Sequence, residues 1–159
     1  MAAIPASTIH ASAVLVGARA ILIRGPEGSG KSRLALALIE AGTTGRLRFS
    51  RLVSDDRTYI EAAHGRLIAR TPEKLAGLIE VRGLGIRRLP YEPVALVGLV
   101  VDLAAEKAER MPSATEREAE IAGIRLPRLA VAAGVDPLPL VLAARMTIPA
   151  GETTPPAAG

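Results

Sequence analysis

Residues 25–32 constrain this chain more than any other stretch. They run Gly25, Pro26, Glu27, Gly28, Ser29, Gly30, Lys31 and Ser32, and match Gly-x-x-x-x-Gly-Lys-Ser/Thr at every fixed position. Glycines let the backbone curl until successive N–H groups point at one anion, and a following helix adds the positive end of its dipole. The sequence supplies both flanks. An apolar run at 20–24 precedes the loop, and a helical pattern at 31–41 follows, with Leu34, Leu38 and Ala41 on one face and Gly42 as its stop. Lys31 can reach outer phosphates, and the Ser32 hydroxyl is placed to ligate Mg²⁺. A glycine turn with a chance lysine would leave the strand and helix unexplained. Nucleotide binding follows, but not the reaction, because many nucleotide-dependent proteins use such a loop.

The rest of the composition narrows the setting of that loop. At 159 residues the chain predicts one domain, so every motif belongs to one site. Hydrophobic residues make up 49% but aromatic ones only 2%, which leaves almost nothing for stacking bases and argues against a nucleic-acid partner. The net charge of +4 comes mostly from scattered arginines, as on a mildly basic surface rather than a polyanion stripe. Cysteine is absent, which excludes disulfides, thiolate metal sites and thiol catalysis. The N-terminus lacks a basic leader region, and the longest apolar run, 94–101, falls far below the roughly 20 residues of a membrane span. A cytoplasmic protein with no membrane partner is therefore expected.

Along the chain, apolar runs at 14–16 and 20–24 predict a hairpin around Gly17 and Ala18. A polar connection at 42–50 leads to a short buried strand at 51–54, which ends at Asp55 and Asp56. Segments 57–62 and 66–70 flank His64 and Gly65 as a second hairpin, with His64 a turn residue, and Thr71, Pro72 and Glu73 read as a helix start. Further expectations are a strand over 93–103, a charged and partly mobile excursion over 104–120, a strand over 126–131 and a helix over 137–146. The tail from 149 is expected to be disordered, so the domain spans 1–148 with a 149–159 tail, and no internal repeat is found.

A nucleotide loop of this kind needs a carboxylate near the metal, and Asp55 and Asp56 stand together at a strand end. Neighbouring strand residues point to opposite faces, so the two should differ: one to activate a hydroxyl, the other to organise the metal or the loop. The stretch 78–89, Leu-Ile-Glu-Val-Arg-Gly-Leu-Gly-Ile-Arg-Arg-Leu, looks poor at regular structure. Gly83 and Gly85 would be tolerated there for close backbone approach or an unusual bend.

Taken together, His10, the loop at 25–32, Val-Ser-Asp-Asp-Arg at 53–57 and Ile-Glu-Val-Arg-Gly-Leu-Gly-Ile at 79–86 resemble the catalytic domain of the HPr kinase/phosphorylase family in order and spacing, over about residues 8–146. The resemblance implies the short form of that family, associated with alphaproteobacteria, without the usual N-terminal domain. It implies an α/β fold: a single P-loop domain with a mixed β-sheet and flanking helices, similar to the phosphoenolpyruvate carboxykinase-like core. It also implies a kinase that uses ATP and Mg²⁺ to phosphorylate a serine of the phosphocarrier HPr or its nitrogen-branch relative, assembled as a hexamer. By the same resemblance Asp56 is the general base with Asp55 beside it, and Lys31 holds the transferred phosphoryl group. Ser32 and Glu80 are Mg²⁺ ligands, His10, 15 residues before Gly25, is the active-site histidine, and Arg110 is a catalytic arginine. Apolar residues over 137–142 are candidate subunit contacts.

One departure concerns removal of the phosphate by inorganic phosphate. The family carries a basic, glycine-containing loop before its last helix, whereas residues 130–140 contain no Arg or Lys, only the flanking Arg128 and Arg145. Two other function classes remain open on residues alone: a nucleotide-sensing regulatory module and a small-metabolite kinase. An intact Asp55, Asp56, Glu80 and Arg82 set argues against a sensor, which has no use for a base.

Overall fold

In the computed structural model, which describes residues 4–152, the glycine loop joins a central strand to the longer of two helices. The strands are β1 (Ile4–Ile9), β2 (Ala11–Val16), β3 (Arg19–Arg24), β4 (Ser50–Ser54), β5 (Thr58–Ala63), β6 (Arg66–Arg70), β7 (Leu78–Val81), β8 (Gly85–Arg88), β9 (Val94–Leu103), β10 (Glu118–Ile121) and β11 (Ile124–Val131). The helices are α1 (Lys31–Thr43) and α2 (Pro137–Met146). All but β7 and β8 form one nine-stranded mixed sheet, ordered β1-β5-β6-β9-β3-β2-β4, with β10 and β11 joined to it through β9. β9 pairs in parallel with β3 and β11, and its other contacts and the hairpins are antiparallel. No helix is long and apolar enough to cross a membrane among the described residues.

β9 organises the sheet because its ten residues serve two neighbours along one edge: β6 pairs at Val94–Leu96 and β11 at Val100–Leu103. The ladder with β3 shifts register between the pairs Ala20/Val97 and Ile21/Leu99, leaving Gly98 in the bulge. A Cβ on Gly98 would lie 2.8 Å from the Arg19 side chain, so close approach selects glycine there. The sheet also curls enough to bring β5 against β2 and β6 against β4.

Curling produces two cores. On one face Leu34, Ala35 and Leu38 of α1 and Val141 of α2 pack on Val14, Ile21, Ile23, Leu52 and Val101. Inside the curl, Ala13, Leu22, Val53, Ile60, Leu67 and Val100 form the second, which continues to Ile121 and Leu126. With no tryptophan and a single phenylalanine, alanines let the strands close tightly enough to exclude water.

Several expectations change. The helix start at Thr71, Pro72 and Glu73 yields only a 3₁₀ turn, Glu73–Leu75, because Gly77 at φ 75° turns the chain away. A Cβ on Gly77 would sit 3.0 Å from the Leu89 carbonyl oxygen. Residues 78–89 are regular after all, an antiparallel β7–β8 hairpin. Gly83 (φ 91°) and Gly85 (φ 88°) serve its backbone angles; no neighbour crowds either one, so close approach is not their reason.

The excursion after β9 is bounded, since Lys107 pairs with Glu116 at 3.0 Å and the segment ends in β10, where Ala119 and Ile121 are buried and Glu118 and Glu120 exposed. Four residues carry too short a period-two signal to stand out in the sequence. Strand β1 was unforeseen, and α2 matches its expected bounds. Of the apolar residues at 137–142 read as subunit contacts, Val141 is buried and Leu138 and Leu142 pack on the core, leaving Leu140 exposed. The expected disorder from 149 falls mostly on residues 153–159, outside the described ones; before them Glu152 N–H donates to the Pro149 carbonyl at 2.9 Å.

Candidate active site

Strand β3 runs at the sheet centre and ends at Arg24, after which the chain turns sharply into the loop. Close packing favours glycine at Gly25: a Cβ there would lie 2.5 Å from Ser29 Oγ and 3.1 Å from Leu103 Cβ. Gly28 and Gly30, at φ 78° and 100°, have nothing near the position a Cβ would take, so their glycine character serves the left-handed backbone and an open concave side.

Lys31 begins α1 and is only 8% exposed. Its ammonium donates to the carbonyls of Gly25 (2.9 Å) and Pro26 (3.2 Å), and no carboxylate pairs with it among the described residues. The Ser29 hydroxyl is likewise buried without a partner. A buried cation without a counter-charge, beside a bare hydroxyl and the N-terminus of a helix, fits a polyphosphate.

The acidic pair divides, though not by strand alternation, because both residues lie past the end of β4. Asp55, 6% exposed, accepts hydrogen bonds from Ser32 Oγ (2.7 and 2.9 Å), Ser12 Oγ (2.7 Å) and the Glu80 backbone N–H (3.1 Å). It thus ties β2, α1 and β7 to the tip of β4. Asp56 is exposed and left-handed at φ 64°, and its N–H donates to Ser12 Oγ at 3.1 Å. The left-handed turn aims consecutive side chains differently, and Ser12 holds both residues from below.

Asp55 and Ser32 provide the oxygen donors that Mg²⁺ favours. No group of three or more His, Cys, Asp or Glu gathers among the described residues, and Mg²⁺ in nucleotide sites needs few protein ligands beside phosphates and water. Glu80 is exposed on β7 and brought to Asp55 through its main chain. His10 occupies the exposed bend between β1 and β2, flanked by Ile9, in register with Thr58, and by Ala11, whose carbonyl accepts from the Thr58 hydroxyl. The fold therefore gathers Lys31, Ser32, Asp55, Asp56 and Glu80, and puts His10 on the bend next to the Asp56 turn. Arg110 is not gathered: it is exposed in the segment between β9 and β10, with no side-chain bond to the cradle.

Ser12 had no sequence mark, being a small polar residue in an apolar strand. Neither had Asp102, whose carboxylate Arg24 and Arg128 share, although a lone acid near the end of the apolar run 94–103 was a usable signal. Burial pushes the Asp102 carboxyl up, but the hydrogen bonds and charges of Arg24 and Arg128 outweigh it and hold the group below the usual carboxylate range.

A family model described as the HPr Serine kinase C-terminal domain matches residues 2–147. The chain belongs to that family. Among curated proteins, this HPr serine kinase C-terminal domain is 44% identical to the HPr kinase/phosphorylase of Clostridium beijerinckii over 82 residues, 52% of this chain and 25% of that one. With the HPr kinase/phosphorylase of Clostridium acetobutylicum it shares 39% over 95 residues, 60% of this chain and 28% of the other. It thus spans about a quarter of the length of the curated relatives it matches. The solved HPr(Ser) kinase/phosphatase of Coxiella burnetii superimposes with a TM-score of 0.68 at 27% identity, covering 86% of both chains. Its fold is thereby the mixed α/β, few-helix fold of HPr kinase catalytic domains.

Proposed function

We propose that residues 1–148 form the catalytic P-loop unit of an ATP- and Mg²⁺-dependent protein serine kinase. It acts in the cytoplasm on the phosphocarrier HPr or its nitrogen-branch relative, in regulation of the phosphotransferase system. Family membership and the names of its relatives support the reading, as do the glycine loop of residues 25–32 and the helix α1 that it opens; the family resemblance adds a phosphoenolpyruvate carboxykinase-like core. The observation that carries it is the division of labour at the tip of β4: Asp55 is buried against Ser32, and Asp56 stays open to a substrate.

In this reading residues 25–32 hold the phosphates. Ser32 and Asp55, with Glu80 beside them, hold Mg²⁺, which when bound neutralises charge on phosphate oxygens. Lys31 leaves the carbonyls of Gly25 and Pro26 and sets its ammonium against the transferred group. Asp56 accepts the proton of the incoming serine hydroxyl, a weak nucleophile until that proton has somewhere to go. His10 belongs to the same site, and the family resemblance alone adds a catalytic role for Arg110 and hexameric assembly.

The test is incubation with labelled ATP, Mg²⁺ and purified HPr or its relative. Label on one carrier serine, lost in Asp56→Asn, is expected. ATP binding with no transfer to either carrier would point to a nucleotide sensor, and transfer only to a small molecule to a metabolite kinase.

A further inference from the structure

Asp102 is the next-to-last residue of β9, in register with Arg24 of β3 and Ala130 of β11. Arg24 grips it with two hydrogen bonds, Nε to Oδ1 at 2.7 Å and Nη2 to Oδ2 at 2.8 Å. Arg128 Nε donates to the same Oδ2, and Arg128 Nη1 donates to the Glu116 carbonyl at 3.0 Å. Asp102 and Arg128 each lie two residues beyond Val100 and Leu126 on their strands and so share their face, which places the cluster on the inner face of the curl, opposite α1.

The position of this cluster matters more than its charge. Arg24 is covalently joined to Gly25, the first residue of the loop. Gly25 itself rests on the residue after Asp102, since its missing Cβ would lie 3.1 Å from Leu103 Cβ and 3.2 Å from the Leu103 carbonyl oxygen. The end of β9 therefore meets both sides of the strand-to-loop junction. Beyond Leu103 the chain breaks away through Ala104 at φ 51°, and Ala105 N–H is fastened to the Val131 carbonyl at 3.0 Å. Arg128 continues the link, because its own N–H donates to the Arg117 carbonyl at 2.8 Å, at the end of the segment that carries Arg110.

We infer that Asp102 is a positioning residue for the phosphate loop, acting through Arg24 on Gly25 and through Arg128 on the segment that carries Arg110. The inference rests on the kinase reading above. Its physical basis is that a partly buried ion cluster is a poor source of stability, since well-packed apolar side chains of similar volume do as well or better. What the cluster supplies is direction. Bidentate guanidinium–carboxylate pairing fixes angles as well as distances, whereas an apolar contact leaves the strand ends free to slide. A shift of about 1 Å in a nucleotide cradle can cost about 10²-fold in rate.

The test uses the full chain with Asp102→Asn, Asp102→Glu and the apolar triple Arg24→Met/Asp102→Leu/Arg128→Met, reading thermal midpoint, affinity for a fluorescent ATP analogue with Mg²⁺, and kcat and KM with HPr. The triple should melt no lower than the parent yet lose at least about 10-fold in kcat, with KM for HPr within about twofold. Asp102→Glu should recover part of the kcat that Asp102→Asn loses. Parental turnover in the triple, or losses that follow the melting temperature in every variant, would overturn the role while leaving the kinase reading intact. A parent chain that neither binds the analogue nor labels HPr would overturn the kinase reading and this role with it.

Discussion

Three donors converge on the Asp55 carboxylate while Asp56 faces outward, so the same substitution at the two positions should do different things. Asp55→Asn must turn an amide NH₂ toward at least one of Ser12, Ser32 or the Glu80 N–H. The amide removes an acceptor from at least one of these donors, and a buried donor left without its acceptor costs about 1–3 kcal/mol, so both melting temperature and transfer should drop. Asp56→Asn keeps a residue type that tolerates φ near 64°, so stability should hold while transfer falls by roughly 10²-fold or more. Paired melting curves and single-turnover rates check this, and a mild Asp56→Asn beside a well-folded, inactive Asp55→Asn would reverse the two roles. Lys31→Ala removes a cation that bonds only carbonyls of its own loop, so the chain should fold and lose nucleotide binding; near-parental affinity would defeat the P-loop assignment. Asp102 adds a pH effect. Its folded-state pKa is depressed, so the cluster contributes stability that is present above about pH 4 and lost as pH falls through the folded value. Urea midpoints at pH 7 and pH 3 should therefore fall further for the parent than for Asp102→Asn. At this scale the acidic pair was legible because two carboxylates end one apolar strand, whereas Arg24, Asp102 and Arg128 are 78 and 26 positions apart and meet only through parallel pairing.

Elements with a full period were readable: α1 shows one apolar stripe from Leu34 to Ala41, and α2 has Pro137 at its first turn after Asp136. Those that escaped were short or unusually exposed. In the β7–β8 hairpin Leu84 and Ile86 are 66% and 65% exposed, so its hydrophobic residues do not mark a buried face. What anchors the hairpin is Ile79, buried in the α1-side core, and the Glu80 N–H on Asp55. The glycines allow the chain to return. Gly83→Ala or Gly85→Ala would force a Cβ onto a left-handed backbone at roughly 1–2 kcal/mol each, with no packing to lose because nothing lies near either position. The expected outcome is faster amide exchange at Glu80 and weaker transfer, with the β3 and β9 amides still protected. Unchanged exchange at Glu80 would show that the hairpin does not depend on those angles.

Viewed as a whole, the curled sheet delivers three parallel strand ends, β3, β9 and β11, to one edge, and their outgoing chains decide which anions that edge can hold. The nucleotide loop leaves β3 with a buried lysine still lacking a counter-charge. The chain leaving β11 is built differently. Between Ala130 and Leu140 it carries no cation, and its acid, Asp136, accepts from the Leu138 N–H at 3.1 Å as the N-cap of α2. That helix N-terminus, otherwise an attractive seat for inorganic phosphate, already holds a carboxylate, and Pro137 and Pro139 contribute no N–H groups. Arg128, which flanks the segment, is engaged by Asp102 and the Glu116 carbonyl. A doubly charged nucleophile therefore finds little to hold it on this side, while the forward reaction proposed above would draw on residues 25–32, Asp55 and Asp56. The chain should act chiefly as a kinase, with weak phosphate-driven reversal. Adding millimolar inorganic phosphate to serine-phosphorylated HPr and following pyrophosphate release measures this directly. Slow release, rising without saturation, is expected; fast and saturable release would show that phosphate is held by groups other than those leaving β11.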